Sequence, residues 1–401
     1  MNPPPALEAR HAGHLRTLNL ERILAVAMDR PAALTRQQLG QVTSLSAPTV
    51  SLLASDLLRR GLLRDAGAAA SRGGRRATLV EFNARYGVVL GIDVGSVDTL
   101  LAVADLRGEI LVRRLIPTPA RAEPADLLTG VVAAARALLE EPAVAGSALL
   151  AAAAAAPGAV DRARGVVLAL APNLKGWRRV PMAEILGRAL GTRVVVDNDV
   201  NLAVVGERWR GVARGHDTCA FLSVGLGIGA GIVIGGELHR GHHSLAGEIG
   251  LMCPGAEFAE HEFGARGGLE SMAGLKALGE LWAGASTLRR DGWIGELFAA
   301  AAQGETHARE VVRRVGTLLG MATTNLALVL DPSLIVFGGP LLAPGSPLLD
   351  ETRRIVAGII PSPPEMLASE LGRDATLWGC LLTAAHEARV RVRDGLRSRR
   401  A

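Results

Sequence analysis

Directly after the apolar run 193–196 the chain reads Asp197-Asn-Asp-Val-Asn201. A short β-branched run of this kind predicts a strand. The acids and amides therefore stand just past a strand end, where a carboxylate can take a proton from a hydroxyl of a bound sugar. Asp199 is the candidate for that role; the competing reading has Asn198 or Asp199 simply capping a helix over 200–209. Two further carboxylates sit beside flexible glycine backbone, in Gly247-Glu-Ile-Gly250 and Gly267-Gly-Leu-Glu270. Glu248 and Glu270 suit the hydroxyls of a polyol, although Glu270 also suits a first helical turn, where the dipole favours negative charge.

A second chemistry is written in the charge distribution. Residues 1–86 carry 12 arginines and no lysine against six acids, whereas the rest of the chain holds 32 basic and 33 acidic residues, for a net charge of +5. The basic excess thus belongs to one N-terminal module, and attraction to phosphates is its direct use. Aromatics make up 3% of the chain, with one tyrosine, too few for stacking single-stranded bases, so double-stranded DNA is the expected partner. The 401 residues, 49% hydrophobic and 21% charged, predict two or three globular units. Cys219, Cys253 and Cys380 form no CxxC pair, which fits a reducing compartment and a cytoplasmic protein. The stretch 148–160 is too short to span a bilayer and is broken by Pro157 and Gly158. Residues 1–15 read as a flexible tail, without the apolar segment of a signal peptide.

The elements that position these groups begin with a head, residues 16–83. Leu20, Ile23, Leu24, Ala27 and Met28 recur at helical spacing up to Pro31. Thr35 and Gln38 spell a capping box opening a second helix that carries Leu39 and Val42 inward. After a turn at residues 43–45, Ser46 caps a third helix with Pro48 in its first turn and Val50, Leu53, Ala54, Leu57 and Leu58 as its apolar face. This is helix-turn-helix spacing, placing Ser46, Ala47, Thr49, Ser51 and Ser55 toward base edges. Strands over 62–65 and 78–82 then flank a tip with Arg72, Arg75 and Arg76, a wing that reaches phosphates or a minor groove. The alternative is a small helical dimerisation module with a solvated basic loop. On the winged reading, Arg75→Ala weakens binding to all sequences and lowers its salt dependence, whereas changes at Thr49 or Ser51 alter sequence preference.

The body divides into lobes at residues 84–200 and 201–401. Strands over 88–94, 100–105 and 110–115 form a meander, and the order returns as 219–224, the loop Gly225-Leu-Gly-Ile-Gly229, 230–234 and 237–239. Glycine turns at the tips of such hairpins let backbone amides approach a phosphate; ordinary tight hairpins have the same glycines.

Together these segments resemble the ROK family, named for repressors, open reading frames and kinases, in its winged-helix repressor branch. The resemblance runs through Gly73-Gly74-Arg75, Gly91-Ile-Asp-Val-Gly95, Pro157-Gly158, Pro172-Asn-Leu-Lys-Gly-Trp177, Asp197-Asn-Asp-Val-Asn201, Gly225-Leu-Gly-Ile-Gly229, Ala246-Gly-Glu-Ile-Gly250, Gly267-Gly-Leu-Glu270 and Ile335-Val-Phe-Gly-Gly339. It implies an α/β chain: a winged helix-turn-helix followed by a two-lobed actin-like fold of the sugar-kinase type. Sugar would lie between the lobes on Gly158, Asn173, Asn198, Asp199, Glu248 and Glu270, with Asp199 where family kinases keep the catalytic base. It further implies a DNA operator, a sugar or sugar-phosphate effector, and a homodimer or homotetramer.

The departures from the family pattern concern the nucleotide and the metal. After Asp93 and Gly95, kinases continue with glycine, threonine and often lysine, whereas this chain has Ser96, Val97 and Asp98. Between Gly225 and Gly227, Leu226 replaces a threonine, ahead of Gly229 and the later pair Gly338-Gly339. Phosphoryl transfer depends on positioned donors, so ATP is not expected as a cofactor. The zinc-binding histidine is Leu251 here, and the matching cysteine positions are His261, Phe263 and Gly268. Cys253, His242, His243 and His261 have no standard zinc spacing, so no metal is expected either.

Overall fold

The computed structural model describes residues 5–69, 76–119, 122–169, 174–253, 255–256, 260, 262, 266–283 and 292–398. The head comprises α1 (Pro5–Asp29), β1 (Leu34–Thr35), α2 (Arg36–Thr43), α3 (Ala47–Arg59), β2 (Leu63–Ala68) and β3 (Thr78–Phe82). Helix α1 begins at Pro5, inside the segment whose sequence suggested a loose tail. Thr35 caps α2 as its spacing predicts: Gln38 N–H donates to Thr35 Oγ1 at 3.2 Å, and Thr35 N–H to Gln38 Oε1 at 2.8 Å. The expected inward face of α2 is corrected. Val42 is exposed, and Thr43 is buried beside Leu39 with its hydroxyl donating to the Leu39 carbonyl at 2.6 Å. Residues three and four apart both neighbour Leu39 on the helix surface; here the inward direction falls on the Thr43 side, which turns Val42 outward. Strand β1 pairs with β3, adding a third strand to the hairpin read from sequence.

The first lobe contains β4 (Val88–Val94), β5 (Asp98–Asp105), β6 (Ile110–Pro117), α4 (Pro124–Leu139), β7 (Leu149–Ala156), β8 (Ala159–Asp161), β9 (Val166–Ala169), α5 (Met182–Leu190), β10 (Val194–Asn198) and α6 (Asp199–Arg210). The second contains β11 (Cys219–Val224), β12 (Ile228–Ile234), β13 (Glu237–His239), α7 (Gly268–Ala273), α8 (Leu275–Ala283), α9 (Trp293–Gln303), α10 (Thr306–Leu330), β14 (Leu334–Gly338), α11 (Pro347–Ile359), β15 (Glu365–Ala368) and α12 (Ala375–Ser398). The two five-stranded sheets run β6-β5-β4-β7-β10 and β13-β12-β11-β14-β15. Each is an antiparallel meander followed by two parallel strands, so the repeated hairpin in the sequence extends to a repeated sheet.

Strand β7 is nearly all alanine, a poor strand former in isolation. Ala151 to Ala156 are nonetheless buried, paired in parallel with β4 and β10, and their small side chains let helices approach both faces. One of those helices is α12. Although last in sequence and expected with the second lobe, it lies along α6, β4 and β7 of the first.

The crossing of α6 and α12 is a backbone contact. A Cβ on Gly206 would stand 2.1 Å from the Ala375 carbonyl oxygen, and one on Gly379 1.8 Å from that of Leu202. Trp209 and Trp378 pack edge to face across it, with the Arg210 guanidinium over both rings. The far end of α12 meets the head. Val392 and Leu396 share one apolar core with Leu20, Ile23 and Leu24 of α1, and Arg397 holds buried Glu21 through two bonds of 2.6 and 2.7 Å. That pairing keeps the Glu21 carboxyl below its usual range. Arg107, at the β5–β6 turn, adds a bond of 2.9 Å to the Arg30 carbonyl.

Candidate functional site

A cavity of about 540 Å³ opens between the lobes, ample for a monosaccharide. Asn198 ends β10 and caps α6: its Oδ1 accepts from Asn201 N–H at 3.0 Å, while its Nδ2 donates to the Gly158 carbonyl at 3.0 Å. Asn198 therefore caps the helix and also borders the cavity, because the cap fixes the side chain there. Asp199 is the first residue of α6, and its Oδ1 accepts the Val200 amide at 2.8 Å. Glu248 enters from the segment after β13. Glu270 enters from the first turn of α7, where its Oε2 accepts from Ile228 N–H at 3.1 Å and its Oε1 is buried without a partner. A buried carboxylate oxygen without a partner is an acceptor awaiting a donor, and Glu270 is among the residues that line the cavity. Asn173 lies outside the described residues; Gly158, Asn198, Asp199, Glu248 and Glu270 line one space.

The carboxylates crowd each other. Burial pushes the Asp199 carboxyl up to about 6, against the pull of the Val200 amide. Glu248 rises to about 7 through burial and the charges of Asp199 and Glu270, and Glu270 is raised by burial. Asp93, near the end of β4, is pushed up to about 8 by burial and by the charges of Asp199 and Asp98. Between its ordinary pKa of 3.8 and about 8 the unfolded chain ionises Asp93 while the folded one does not, so stability is lost as pH rises through that window. Asp93→Asn is accordingly expected to melt above the parent protein by a margin that widens from pH 5 to pH 8. Thermal scans showing the margin shrink over that range would contradict the assignment.

Behind the cavity, fully buried Asp197 accepts from Arg240 at 2.7 Å and from Arg162 at 3.1 Å. The Arg240 pair fastens the segment after β13, and with it the approach to Glu248, to the strand end that carries Asn198, while the Arg162 pair ties in the β8–β9 turn. No local pattern marks Asp197, since its partners lie 35 and 43 residues away.

On the phosphate side the loop glycines are in place but the donors differ. Gly95 N–H bonds to the Asp98 carbonyl in a tight turn and Gly225 N–H to the Gly227 carbonyl; Gly229 lies opposite Ser223 on β12. Gly338 faces the Phe221 ring, which a Cβ would meet at 2.2 Å, and Gly339 turns against the Val224 carbonyl. A second cavity of about 400 Å³ adjoins there, sharing Asp199, Val200, Ser223 and Pro340 with the first. Asp98 pairs with Arg373 at 3.1 Å, and Arg113 grips Asp374 through two bonds of 3.0 Å, so two ion pairs tie the segment between β15 and α12 to the first sheet at this edge. Val97 and Leu226 expose apolar side chains at the loop tips. Neither side chain supplies a donor to a phosphate. At the positions considered for zinc, Leu251 offers no ligand atom, His261 and Phe263 lie outside the described residues, and no group of three candidate ligands occurs among the described ones.

On the head, Ser46 caps α3 and bonds the Thr49 hydroxyl at 2.8 Å, which engages both side chains within the helix start. Ala47, Pro48 and Leu52 are exposed, with Ser51 and Ser55 half-buried on the same face. Leu52, at 60% exposure, was not singled out from the sequence. An exposed leucine at the centre of this face offers apolar contact to a thymine methyl. Arg72 and Arg75 lie outside the described residues; Arg76 is exposed at the base of the wing.

A winged helix-turn-helix carried on a two-lobed body of the sugar-kinase type, with a carboxylate-lined interlobe cleft, is the class of protein these elements define. A family model described as the ROK family matches residues 89–387, and the chain belongs to that family. It is 30% identical over 353 residues to a putative xylose repressor of Caldicellulosiruptor sp. (strain Rt8B.4), covering 85% of this chain and 88% of that protein. It is 31% identical to a glucokinase of Streptomyces coelicolor, covering 73% and 96%. Its fold, head included, matches the crystal structure of a ROK family transcriptional regulator, a homologue of the E. coli MLC protein, with a TM-score of 0.75 at 22% identity over 95% of this chain and 99% of that one. No helix among the described residues is long and apolar enough to cross a membrane.

Proposed function

We propose that this protein is a cytoplasmic transcription regulator, a repressor of carbohydrate genes, that binds an operator in double-stranded DNA through its head and answers to a sugar or sugar phosphate in the cleft. The asymmetry of the cleft carries this reading. Asn198, Asp199, Glu248 and Glu270 face one cavity, whereas the phosphate side is bridged by Asp98 and Arg373. Similarity to proteins named xylose repressor supports the same choice. The route from cleft to head is short: Asp199 starts α6, α6 is keyed to α12, and α12 holds α1 through Arg397 and Glu21. A sugar that prefers one arrangement of the lobes shifts α6 and α12, and with them the head. Two copies joined by apolar surface such as Met321, Leu328, Val329 and Ile359 would place two heads on a palindromic site. Binding of the chain to DNA upstream of its own gene, measured with D-xylose, D-glucose and their phosphates, tests the reading. A panel in which none changes operator affinity sinks it.

A kinase is the second reading. It is favoured by Asp199, raised to about 6 at the cleft, and by the adjoining 400 Å³ cavity. Coupled ADP release over the same sugars, abolished by Asp199→Asn, would establish it in place of the first.

A further inference from the structure

Arg36, the first residue of α2, reaches across to the recognition helix. Its Nη1 donates to Ser51 Oγ at 3.2 Å and its Nη2 to Ser55 Oγ at 3.3 Å, while its Nε is buried without a partner. One guanidinium thus spans two hydroxyls a single helical turn apart, on the face that also carries exposed Leu52. A serine in a helix commonly spends its hydrogen on the carbonyl four residues earlier, as Thr43 does on Leu39. Among the described residues, the Ser51 and Ser55 hydroxyls have no acceptor.

Resting on the DNA-binding reading above, we infer that Arg36 is a specificity-determining positioning residue: by donating to Ser51 and Ser55 it fixes both hydroxyls as outward donors that select acceptor edges in the major groove. A serine hydroxyl alone is both donor and acceptor and tolerates either kind of base edge. With a charged donor on one lone pair, approach of a second donor to the same oxygen is electrostatically opposed, and the free hydrogen points to what accepts it. Guanine presents N7 and O6, both acceptors, and thymine presents O4; cytosine presents an amino donor, and adenine pairs an acceptor with one. Two positions in each half-site, read by neighbouring hydroxyls, therefore favour guanine or thymine over cytosine. The guanidinium need not touch DNA to impose this.

The test is selection of operators from a random duplex library by the full chain, followed by affinity measurement on single-base variants. Wild type is expected to discriminate guanine or thymine from cytosine by about tenfold at two positions of the half-site, the scale of one mismatched pair. Ser51→Ala relaxes one of them and Ser55→Ala the other. Arg36→Met, which keeps the bulk and removes the donors, relaxes both together while retaining affinity for the relaxed sites. If Arg36→Met keeps the wild-type preference at both positions, or weakens all sequences equally with a shallower salt dependence, as loss of a phosphate contact would, the inference is overturned. Should the methionine variant fail to fold, the serine variants decide: selection of cytosine at their positions by the wild type also overturns it. Wild type that enriches no sequence at all would instead refute the DNA-binding reading on which this rests.

Discussion

Asp199→Ala is expected to shift the sugar response of operator binding to much higher sugar concentrations while leaving operator affinity without sugar within about twofold of wild type, since the residue lies in the cleft and remote from the head. Hydrogen bonds from a ligand hydroxyl to a charged carboxylate are worth about 1.5–3 kcal/mol, so sugar affinity should fall by about one to two orders of magnitude. Asp199→Asn, which keeps an acceptor and loses the charge, should fall between. The carboxyl titrates at about 6 in the folded chain, so the charged acceptor is present above that pH and lost below it. Wild-type sugar affinity should accordingly weaken as pH drops from 7 to 5, and the alanine variant should lose that part of the dependence. Calorimetric titration with D-xylose and D-glucose reads both effects; an alanine variant that binds either sugar as wild type does would remove Asp199 from the site.

Gly379→Val should do more damage at a distance. Its Cβ would sit 1.8 Å from the Leu202 carbonyl oxygen, and backbone cannot rotate aside as a side chain can, so α6 and α12 must separate. Overpacking of this kind costs about 1–3 kcal/mol, which for a chain of this size lowers the melting temperature by several degrees. The separation would also break the Trp209–Trp378 contact and the Arg210 stack. We expect the variant to bind sugar near normally yet show a response at the operator reduced by tenfold or more. A variant with the wild-type response would mean that the signal does not pass through this crossing.

Much of the fold could be read because glycine turns and β-branched runs mark strands locally. The span 88–94 agrees with β4, 219–224 with β11 and 78–82 with β3, while neighbouring boundaries shift by two or three residues. Strand β7 was not legible: six alanines carry no strand signal, and it is burial between β4 and β10 that makes them one. Nor was the return of α12, which depends on glycines at 206 and 379 meeting partners more than 150 residues away. In the cleft, the carboxylates were visible as residue types beside glycines, and the structure brings Asp199, Glu248 and Glu270 to one cavity. Asp98 was legible only as a departure from the kinase pattern. Its partner Arg373 is 275 residues distant, and no local pattern announces such a pair. On the head, Val42 was misplaced because two apolar residues three apart invite a shared face, when the buried neighbour of Leu39 is a threonine satisfied by its own helix.

The central claim is that cleft and head form one thermodynamic system, and linkage makes it measurable. If a sugar changes operator affinity by some factor, the operator must change sugar affinity by the same factor. The decisive measurement is the sugar dissociation constant of the full chain with and without saturating operator duplex, set beside the operator constant with and without that sugar. The account predicts at least about a tenfold change, equal in both directions and collapsing together in Gly379→Val, on the scale of 1–3 kcal/mol typical of coupled sites. A sugar that binds the cleft with one and the same affinity whether or not the operator is bound would contradict it.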